Sequence, residues 1–148
     1  MKSESLNELI ISLVLWITSN TLYLDTSVSP EIEFVNQVKL ADIACNKPCE
    51  IMAYTPKNST KKIFMLDSLN PMDDVCHRGI LLHEIIHLVQ NEKKIYSDFD
   101  ENTKKHMREM DALVNHNRFL SQYNKKILYS NGFAARLNTK GSENDLYC

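Results

Sequence analysis

The chain has 148 residues, the size of one ordinary domain, so we expect a single domain over residues 1–148. Hydrophobic residues make up 43% of the chain and charged residues 24%, a balance that excludes the disordered and collagen-like classes. The net charge of −2, without a basic stripe interleaved with aromatic residues, argues against nucleic acid as a partner. We expect a monomer.

The first predicted element is a helix over residues 5–19, a segment that is apolar on most faces. Its apolar run from Leu9 to Ile17 is too short to span a bilayer, and Glu4 and Glu8 precede it where a signal peptide carries positive charge. We therefore expect no membrane span. The compartment stays open: exported or periplasmic if a leader has been removed, and otherwise cytoplasmic.

Three segments with strand patterns come next along the chain. Residues 31–35 alternate between apolar and acidic side chains, which indicates a half-buried strand, and a short helix is predicted over residues 38–44. Two further strands are predicted at 50–54 and 62–66, separated by a polar, turn-rich segment at 55–60 that predicts a hairpin. Three strands in this order predict a small, largely antiparallel sheet.

Two pairs of cysteines are candidates for disulfide bonds. The segment from Cys45 to Cys49 contains Asn and Pro, so it can turn back and bring the two sulfur atoms together; two free thiols are the alternative. Cys76 is expected to be either a buried thiol or the partner of Cys148 in a second disulfide.

A strongly apolar helix is predicted over residues 70–89, with Pro71 and acidic side chains in its first turn. It carries His83-Glu84-Ile85-Ile86-His87, which matches the pattern HExxH. Histidines at positions i and i+4 share one face of a helix and can hold one zinc ion. Glu84 is the candidate general base that takes a proton from zinc-bound water. Such polar residues would be costly in so apolar a helix without a function, which favours a metal site.

A catalytic zinc site needs a third protein ligand and leaves the fourth position to water. The metzincin arrangement is excluded because it requires Gly at position 90 and His at position 93, where this chain has Gln90 and Lys93. The gluzincin arrangement takes an acidic ligand from a later helix. A second long helix is predicted over residues 101–123, and it carries two acidic candidates at a suitable distance, Glu109 and Asp111.

Together these features resemble the minimal gluzincins, which are zinc peptidases reduced to a few helices and a three-stranded sheet. They are also similar to a bacterial family of small, functionally uncharacterised HExxH proteins, over roughly residues 5 to 122. The matching features are the early helix, the strand at 32–35, the pair Cys45 and Cys49, the motif helix at 80–90, and Glu109-Met110-Asp111-Ala112 leading to Asn117-Arg118-Phe119-Leu120.

The resemblance implies a choice between the two acidic candidates. In the gluzincin pattern the ligand glutamate stands three residues before a small residue, usually alanine, which points to Glu109 and Ala112 in this chain. Such proteins often carry an aspartate four residues after the ligand, where this chain has Leu113. This departure keeps Asp111, followed four residues later by Asn115, open as the alternative third ligand.

A peptidase also benefits from a donor that stabilises the oxyanion of the tetrahedral intermediate. His116 stands seven residues after Glu109, on nearly the same helical face, and is the candidate for this role, with Arg118 and Tyr123 as alternatives. The competing interpretation of His116 is an ordinary solvated histidine on a helix surface.

The sequence therefore predicts an α+β, zincin-like domain in which a small sheet flanks the motif helix and a second long helix supplies the third ligand. Residues 131–148 are expected to form a loosely held tail. The expected function is a zinc-dependent hydrolase, a peptidase by resemblance, whose peptide or protein substrate pairs with a strand edge near residues 62–66. The alternatives are a zinc-stabilised, catalytically inactive binding module and a metal-free interaction domain.

Overall fold

The computed structural model describes residues 2–127 and residue 148. Its N-terminal helix, α1, spans Lys2–Asn20. Leu13 and Ile17 of α1 are buried, whereas Ile11 and Leu15 are exposed. Residues four apart share one face of a helix, so the first pair faces the core and the second faces solvent. In the described part of the chain, no helix is both long and apolar enough to cross a membrane.

The sheet has three strands, β1 (Glu31–Val35), β2 (Ala53–Tyr54) and β3 (Lys62–Leu66), in the spatial order β1-β3-β2. β1 and β3 begin and end at the predicted residues. β2 covers only the end of the predicted strand, because Cys49 is tied to Cys45 by a disulfide and regular pairing with β3 begins at Ala53.

The prediction of a largely antiparallel sheet was wrong, because β1 and β3 pair in parallel from Glu31↔Lys62 to Val35↔Leu66. A parallel pair needs a crossover connection, which here consists of the short helix α2 (Gln37–Cys45) followed by β2. The chain then returns through the hairpin, so β3 lies between the other two strands and is antiparallel to β2. β3 is therefore the central strand, and the edges of the sheet are β1 and β2.

The disulfide expected between Cys45 and Cys49 is confirmed, and it closes a short loop after α2. Asn46 adopts a left-handed backbone conformation with φ 55°, which asparagine tolerates better than most residues. This turn reverses the chain and brings the two cysteines together. The interpretation of these residues as free thiols is therefore excluded.

A second disulfide joins Cys76, near the start of the motif helix, to Cys148, as one of the two predicted alternatives stated. The backbone N–H of Cys148 also donates a hydrogen bond to the carbonyl of Lys126 at 3.0 Å. The tail predicted to be loosely held lies outside the described residues, except for Cys148 itself.

Two long helices, α3 (Val75–Lys93) and α4 (Glu101–Ser121), make up the second half of the described chain. α3 begins five residues later than predicted because Asp74 is its N-cap. The carboxylate of Asp74 accepts hydrogen bonds from the backbone N–H groups of Cys76 and His77 at 2.8 Å and 3.2 Å. These bonds satisfy donors that the first helical turn leaves without partners inside the helix.

α3 is buried on nearly every side, with α1 and the sheet on one side and α4 on the other. Between residues 79 and 90, His87 alone is partly exposed and all others are buried. α4 runs antiparallel to α3, since His83 lies against His116 and Gln90 lies against Arg108. The aliphatic side chains of α3 that are fully buried are Ile80, Leu81, Leu82, Ile85, Ile86, Leu88 and Val89.

The two disulfides should differ in their contribution to stability, because a crosslink restricts the unfolded chain more when it closes a longer loop. The Cys76–Cys148 bond has a sequence separation of 72 and the Cys45–Cys49 bond a separation of 4. We expect Cys76→Ser with Cys148→Ser to lower the free energy of unfolding by about 4 kcal/mol, and Cys45→Ser with Cys49→Ser by about 2 kcal/mol. Denaturant titrations of both double variants measure these losses, and equal losses would contradict the expectation.

Candidate metal centre

Three side chains from α3 and α4 converge on one point. His83 and His87 are four residues apart on α3, so both imidazoles project toward α4. Their Nε2 atoms lie 2.8 Å and 3.1 Å, respectively, from Oε1 of Glu109. All three ligand atoms lie within 4.8 Å of one another. The structure thus brings the favoured third residue, Glu109, to the histidine pair.

Asp111, the alternative third ligand, is not part of this cluster. Its Oδ2 atom accepts hydrogen bonds from the hydroxyl groups of Tyr23 at 3.1 Å and Tyr96 at 2.8 Å. Two positions along an α-helix correspond to a rotation of about 200°, so the side chains of Asp111 and Glu109 point in nearly opposite directions. Of the two acidic candidates, the structure therefore brings Glu109 and not Asp111 to the histidine pair.

The donor set fits a zinc ion. Zinc binds histidine nitrogen and carboxylate oxygen at about 2.0–2.2 Å, so neighbouring ligand atoms of a tetrahedral site are about 3.3 Å apart. The distances of 2.8 Å and 3.1 Å around Glu109 are slightly shorter, so its carboxylate must move outward by a few tenths of an ångström to admit the ion. The side chain of Glu109 is 42% exposed, which gives it room to move and leaves the site open to solvent.

The electrostatics of the cluster favour a cation. Burial disfavours the charged form of Glu109, but the hydrogen bonds with His83 and His87 outweigh it and hold the pKa of this carboxyl well below its usual range. Burial also opposes protonation of His87, yet the carboxylates of Glu109 and Glu84 together raise the pKa of this imidazole. The cluster therefore presents negative charge to whatever cation binds there.

Gln90 fixes the orientation and tautomer of His87. The amide nitrogen of Gln90 must face the backbone carbonyl of Arg108, 2.9 Å away, because a carbonyl can only accept a hydrogen bond. The amide oxygen of Gln90 therefore faces His87, and Nδ1 of His87 donates to it at 2.8 Å. With its hydrogen on Nδ1, the neutral imidazole presents the lone pair of Nε2 to a metal.

The support of His87 extends beyond Gln90 to two further residues. The amide nitrogen of Gln90 also donates to the hydroxyl of Tyr23 at 3.1 Å, and that hydroxyl in turn donates to Asp111. Burial and the neighbouring Asp111 carboxylate raise the pKa of Tyr23, so its hydroxyl keeps the proton that this bond requires. A continuous set of hydrogen bonds thus runs from His87 through Gln90 and Tyr23 to Asp111.

His83 is supported by a different residue, His116 of α4. Nδ1 of His83 lies 3.2 Å from Nδ1 of His116, on the side of the ring away from Glu109. When Nε2 of His83 binds a metal, the hydrogen of the neutral ring is on Nδ1 and can be donated to His116. Burial, followed by the proximity of His83, lowers the pKa of His116 well below its usual value, which keeps it a neutral acceptor.

The predicted role of His116 as an oxyanion donor does not agree with this position. The side chain is fully buried and lies behind His83, whereas an oxyanion donor must reach the substrate. The interpretation of His116 as a solvated surface histidine is wrong, because the side chain is buried. Of the two alternative donors, Arg118 contacts Asn115, and the ring of Tyr123 packs against Phe119; neither contact involves the cluster.

The close approach of His116 to α3 depends on Gly79. A Cβ atom at position 79 would lie 2.7 Å from Nε2 of His116 and 3.0 Å from a methyl carbon of Leu120. Gly79 stands one turn before His83, so the missing side chain leaves the space that the imidazole of His116 occupies. The sequence signal for this role is the only glycine within the predicted motif helix.

Glu84, the predicted general base, is held by a residue that follows β2. The hydroxyl of Thr55 donates to Oε1 of Glu84 at 2.9 Å, and Glu84 is 6% exposed. Its charge acts on His87, which places the carboxylate in the electrostatic environment of the cluster. Sequence reasoning missed Thr55 and Tyr23 because both belong to segments far from the motif, and it used Gln90 only to exclude the metzincins.

Comparisons of the chain with protein-family models, curated proteins and solved structures gave no match. The resemblance to the gluzincins therefore stays a prediction from the motif His83–His87 and from the position of Glu109.

Replacing Gln90 by Leu should weaken zinc binding by about 10-fold to 100-fold, because His87 loses the acceptor that fixes its ring. Tyr23→Phe keeps that acceptor and removes only its support, so it should have a smaller effect. Competition with a chromophoric chelator measures both affinities on protein whose folding is checked by circular dichroism. Wild-type zinc affinity in folded Gln90→Leu would show that this residue has no part in the site.

Replacing Gly79 by Ala should destabilise the protein by about 1–3 kcal/mol, because the new methyl group overpacks the space beside His116. This is the opposite of the usual effect of Gly→Ala inside a helix, which is stabilising by about 1 kcal/mol. The loss should shrink when His116→Ala is already present, since the clashing ring is then gone. A double-mutant cycle by denaturant titration measures this coupling, and additive effects would contradict the explanation.

Proposed function

We propose that this protein is a zinc-dependent hydrolase that cleaves peptide bonds. The observation that carries the proposal is the convergence of Nε2 of His83, Nε2 of His87 and Oε1 of Glu109, with Glu84 next to the first ligand in sequence. Two imidazoles and one carboxylate, with the fourth position left to water, are a donor set of catalytic rather than structural zinc sites.

When bound, zinc would polarise the substrate carbonyl and lower the pKa of water at the site. The residues of the chain would have two roles, binding the zinc ion and transferring a proton. His83, His87 and Glu109 hold the ion, and Glu84 accepts a proton from the attacking water and delivers it to the leaving amine. Thr55 orients the carboxylate of Glu84 through the hydrogen bond to Oε1.

The choice of a peptide as substrate is supported by the edge strand beside the motif. β2 packs on α3, and Thr55, the residue that immediately follows β2, contacts Glu84. An extended peptide that pairs with the outer edge of β2 would lie along the site. The expected edge near residues 62–66 is replaced by β2, since β3 is flanked on both sides.

The second candidate function is that of a zinc-stabilised binding module, which binds the metal but has no catalytic activity. The observation in its favour is that Glu84 is only 6% exposed and already bonded to Thr55, as a purely structural carboxylate would be. In that case Glu84 contributes to folding, and the outer edge of β2 binds a partner without cleaving it.

The first test is the zinc content of tag-free protein, for wild type and for His83→Ala. We expect about one zinc per chain in wild type and loss of zinc from the variant, because two ligands hold the ion much more weakly than three. Absence of zinc from wild type even after zinc is supplied would overturn the proposal and favour a metal-free interaction domain.

The second test separates the hydrolase from the binding module. Glu84→Gln preserves shape and the acceptor for Thr55, so it should keep zinc while cleavage of a peptide library falls by at least about 100-fold. A wild-type chain that binds zinc but cleaves no peptide in the library would support the binding module instead. Glu8→Gln, at an exposed position of α1, is a matched control for the loss of a carboxylate.

A further inference from the structure

A polar cleft of about 650 Å³ opens beside the C-terminal end of α3 and contains none of the residues assigned above to the metal or to proton transfer. Among the described residues, four cationic side chains line it, namely Lys61, Lys94, Lys104 and Arg108, together with one carboxylate, that of Glu92. Serine, threonine and asparagine side chains make up much of the remaining wall. The volume is in the range of ligand pockets, about 300–1,000 Å³.

The single carboxylate of the cleft is already engaged by the chain. Oε1 of Glu92 accepts from the hydroxyl of Thr26 at 2.8 Å, and Oε2 accepts from the hydroxyl of Ser27 at 2.5 Å. Glu92 therefore serves to hold the segment between α1 and β1 against α3. Four cations against this one carboxylate still leave an excess of positive charge along the cleft, in a protein whose net charge is −2.

The cleft is next to the candidate metal centre. Arg108 precedes Glu109 in sequence, and its guanidinium donates to Oδ1 of Asn91 at 2.9 Å in the wall of the cleft. Asn91 follows His87 by four residues, which is about 6 Å along the axis of α3, and Lys94 follows it by seven residues, about 10 Å. An extended peptide advances about 3.4 Å per residue, so these distances correspond to two or three residues.

Two of the four cations also contact carboxylates on the protein surface. Lys61 lies 3.3 Å from Glu31, and Lys104 lies 2.8 Å from Glu101. The Lys61–Glu31 pair is exposed on both sides and contributes little, whereas in the second pair the side chain of Lys104 is 17% exposed and that of Glu101 67% exposed. A ligand carboxylate that enters the cleft can compete with both of them.

We propose that this cleft binds a carboxylate of the substrate, two or three residues from the bond that is cleaved. The inference rests on the proposed peptidase function and adds a substrate class to it, namely acidic peptides. The carboxylate comes from an aspartate or glutamate side chain or from the C-terminus of the peptide. Lys94 and Lys104 are the specificity-determining residues, and Arg108 is bound to Asn91 and to the carbonyl of Ile95, so it shapes the wall.

The test measures peptide binding by the full chain carrying Glu84→Gln, loaded with zinc, so that binding is separated from cleavage. The probes are fluorescent octapeptides of Ala and Ser in which one Asp is moved through every position, each paired with the Asn peptide. A second set compares a free C-terminal carboxylate with its amide. We expect Asp to bind about 10-fold more tightly than Asn at one or two adjacent positions, with the preference weakened by added salt.

Two double variants are compared: one replaces lysines that line the cleft, and the other replaces the lysines next to them in sequence. Lys94→Gln with Lys104→Gln should reduce the Asp preference to less than about 2-fold, because two of the four cations are gone. Lys93→Gln with Lys105→Gln removes the same charge from neighbouring positions outside the cleft and should leave the preference unchanged. Equal effects of the two double variants, or no position with a preference for Asp, would overturn the proposal.

Cleavage by the wild-type chain distinguishes failure of this inference from failure of the proposed function. Hydrolysis of Asp and Asn peptides at the same rate, with equal binding, overturns the carboxylate site and keeps the peptidase. Acid-selective binding that is lost in the Lys94 and Lys104 double variant, without any hydrolysis, keeps the carboxylate site and overturns the peptidase.

Discussion

Burial of α3 is the constraint on which the rest of the structure depends. This helix lies between the sheet and α4, yet it carries two histidines, a glutamate and a glutamine between residues 83 and 90. A buried polar group without a partner destabilises a protein by about 1–3 kcal/mol. The neighbouring elements must therefore bring hydrogen-bond partners to α3. These partners are Glu109 and His116 from α4, Thr55 immediately after β2, and Tyr23 from the segment after α1.

The two histidines are consequently fixed by two separate sets of contacts. His83 is held from behind by His116, and this is sterically allowed only because position 79 is a glycine. His87 is held by Gln90, whose amide is itself oriented by the carbonyl of Arg108. Rings that are oriented before the ion arrives lose less conformational freedom on binding, so both sets of contacts favour metal affinity. Arg108 of α4 orients Gln90 through its backbone carbonyl, and its side chain lines the cleft at the C-terminal end of α3. The position of that cleft is therefore tied to the position of the candidate metal ligands.

Features that depend on local patterns could be predicted from the sequence. The bounds of β1 and β3 follow from alternation and the motif helix from its apolar period, whereas the choice of Glu109 over Asp111 comes from the resemblance to the gluzincins. Contacts between distant segments could not be predicted, because a hydrogen bond such as that from Thr55 to Glu84, 29 residues later, leaves no periodic trace. The parallel pairing of β1 with β3 belongs to this class. So does His116, which was predicted on the correct face of α4 but with the wrong exposure, since only the packing of α4 on Gly79 covers it.

The distribution of charge bears on whether the site turns over substrate. Glu84 and Glu109 bring two carboxylates to two histidines, and a divalent cation balances the negative charge that they can carry together. A module that only binds zinc would gain the same charge balance, so the second carboxylate does not by itself indicate turnover. Glu84 is 6% exposed and its Oε1 atom accepts a hydrogen bond from the hydroxyl of Thr55, so the carboxylate is held in place whichever function the site has. The step that would distinguish a hydrolase is proton transfer between this carboxylate and water, which a binding module does not require.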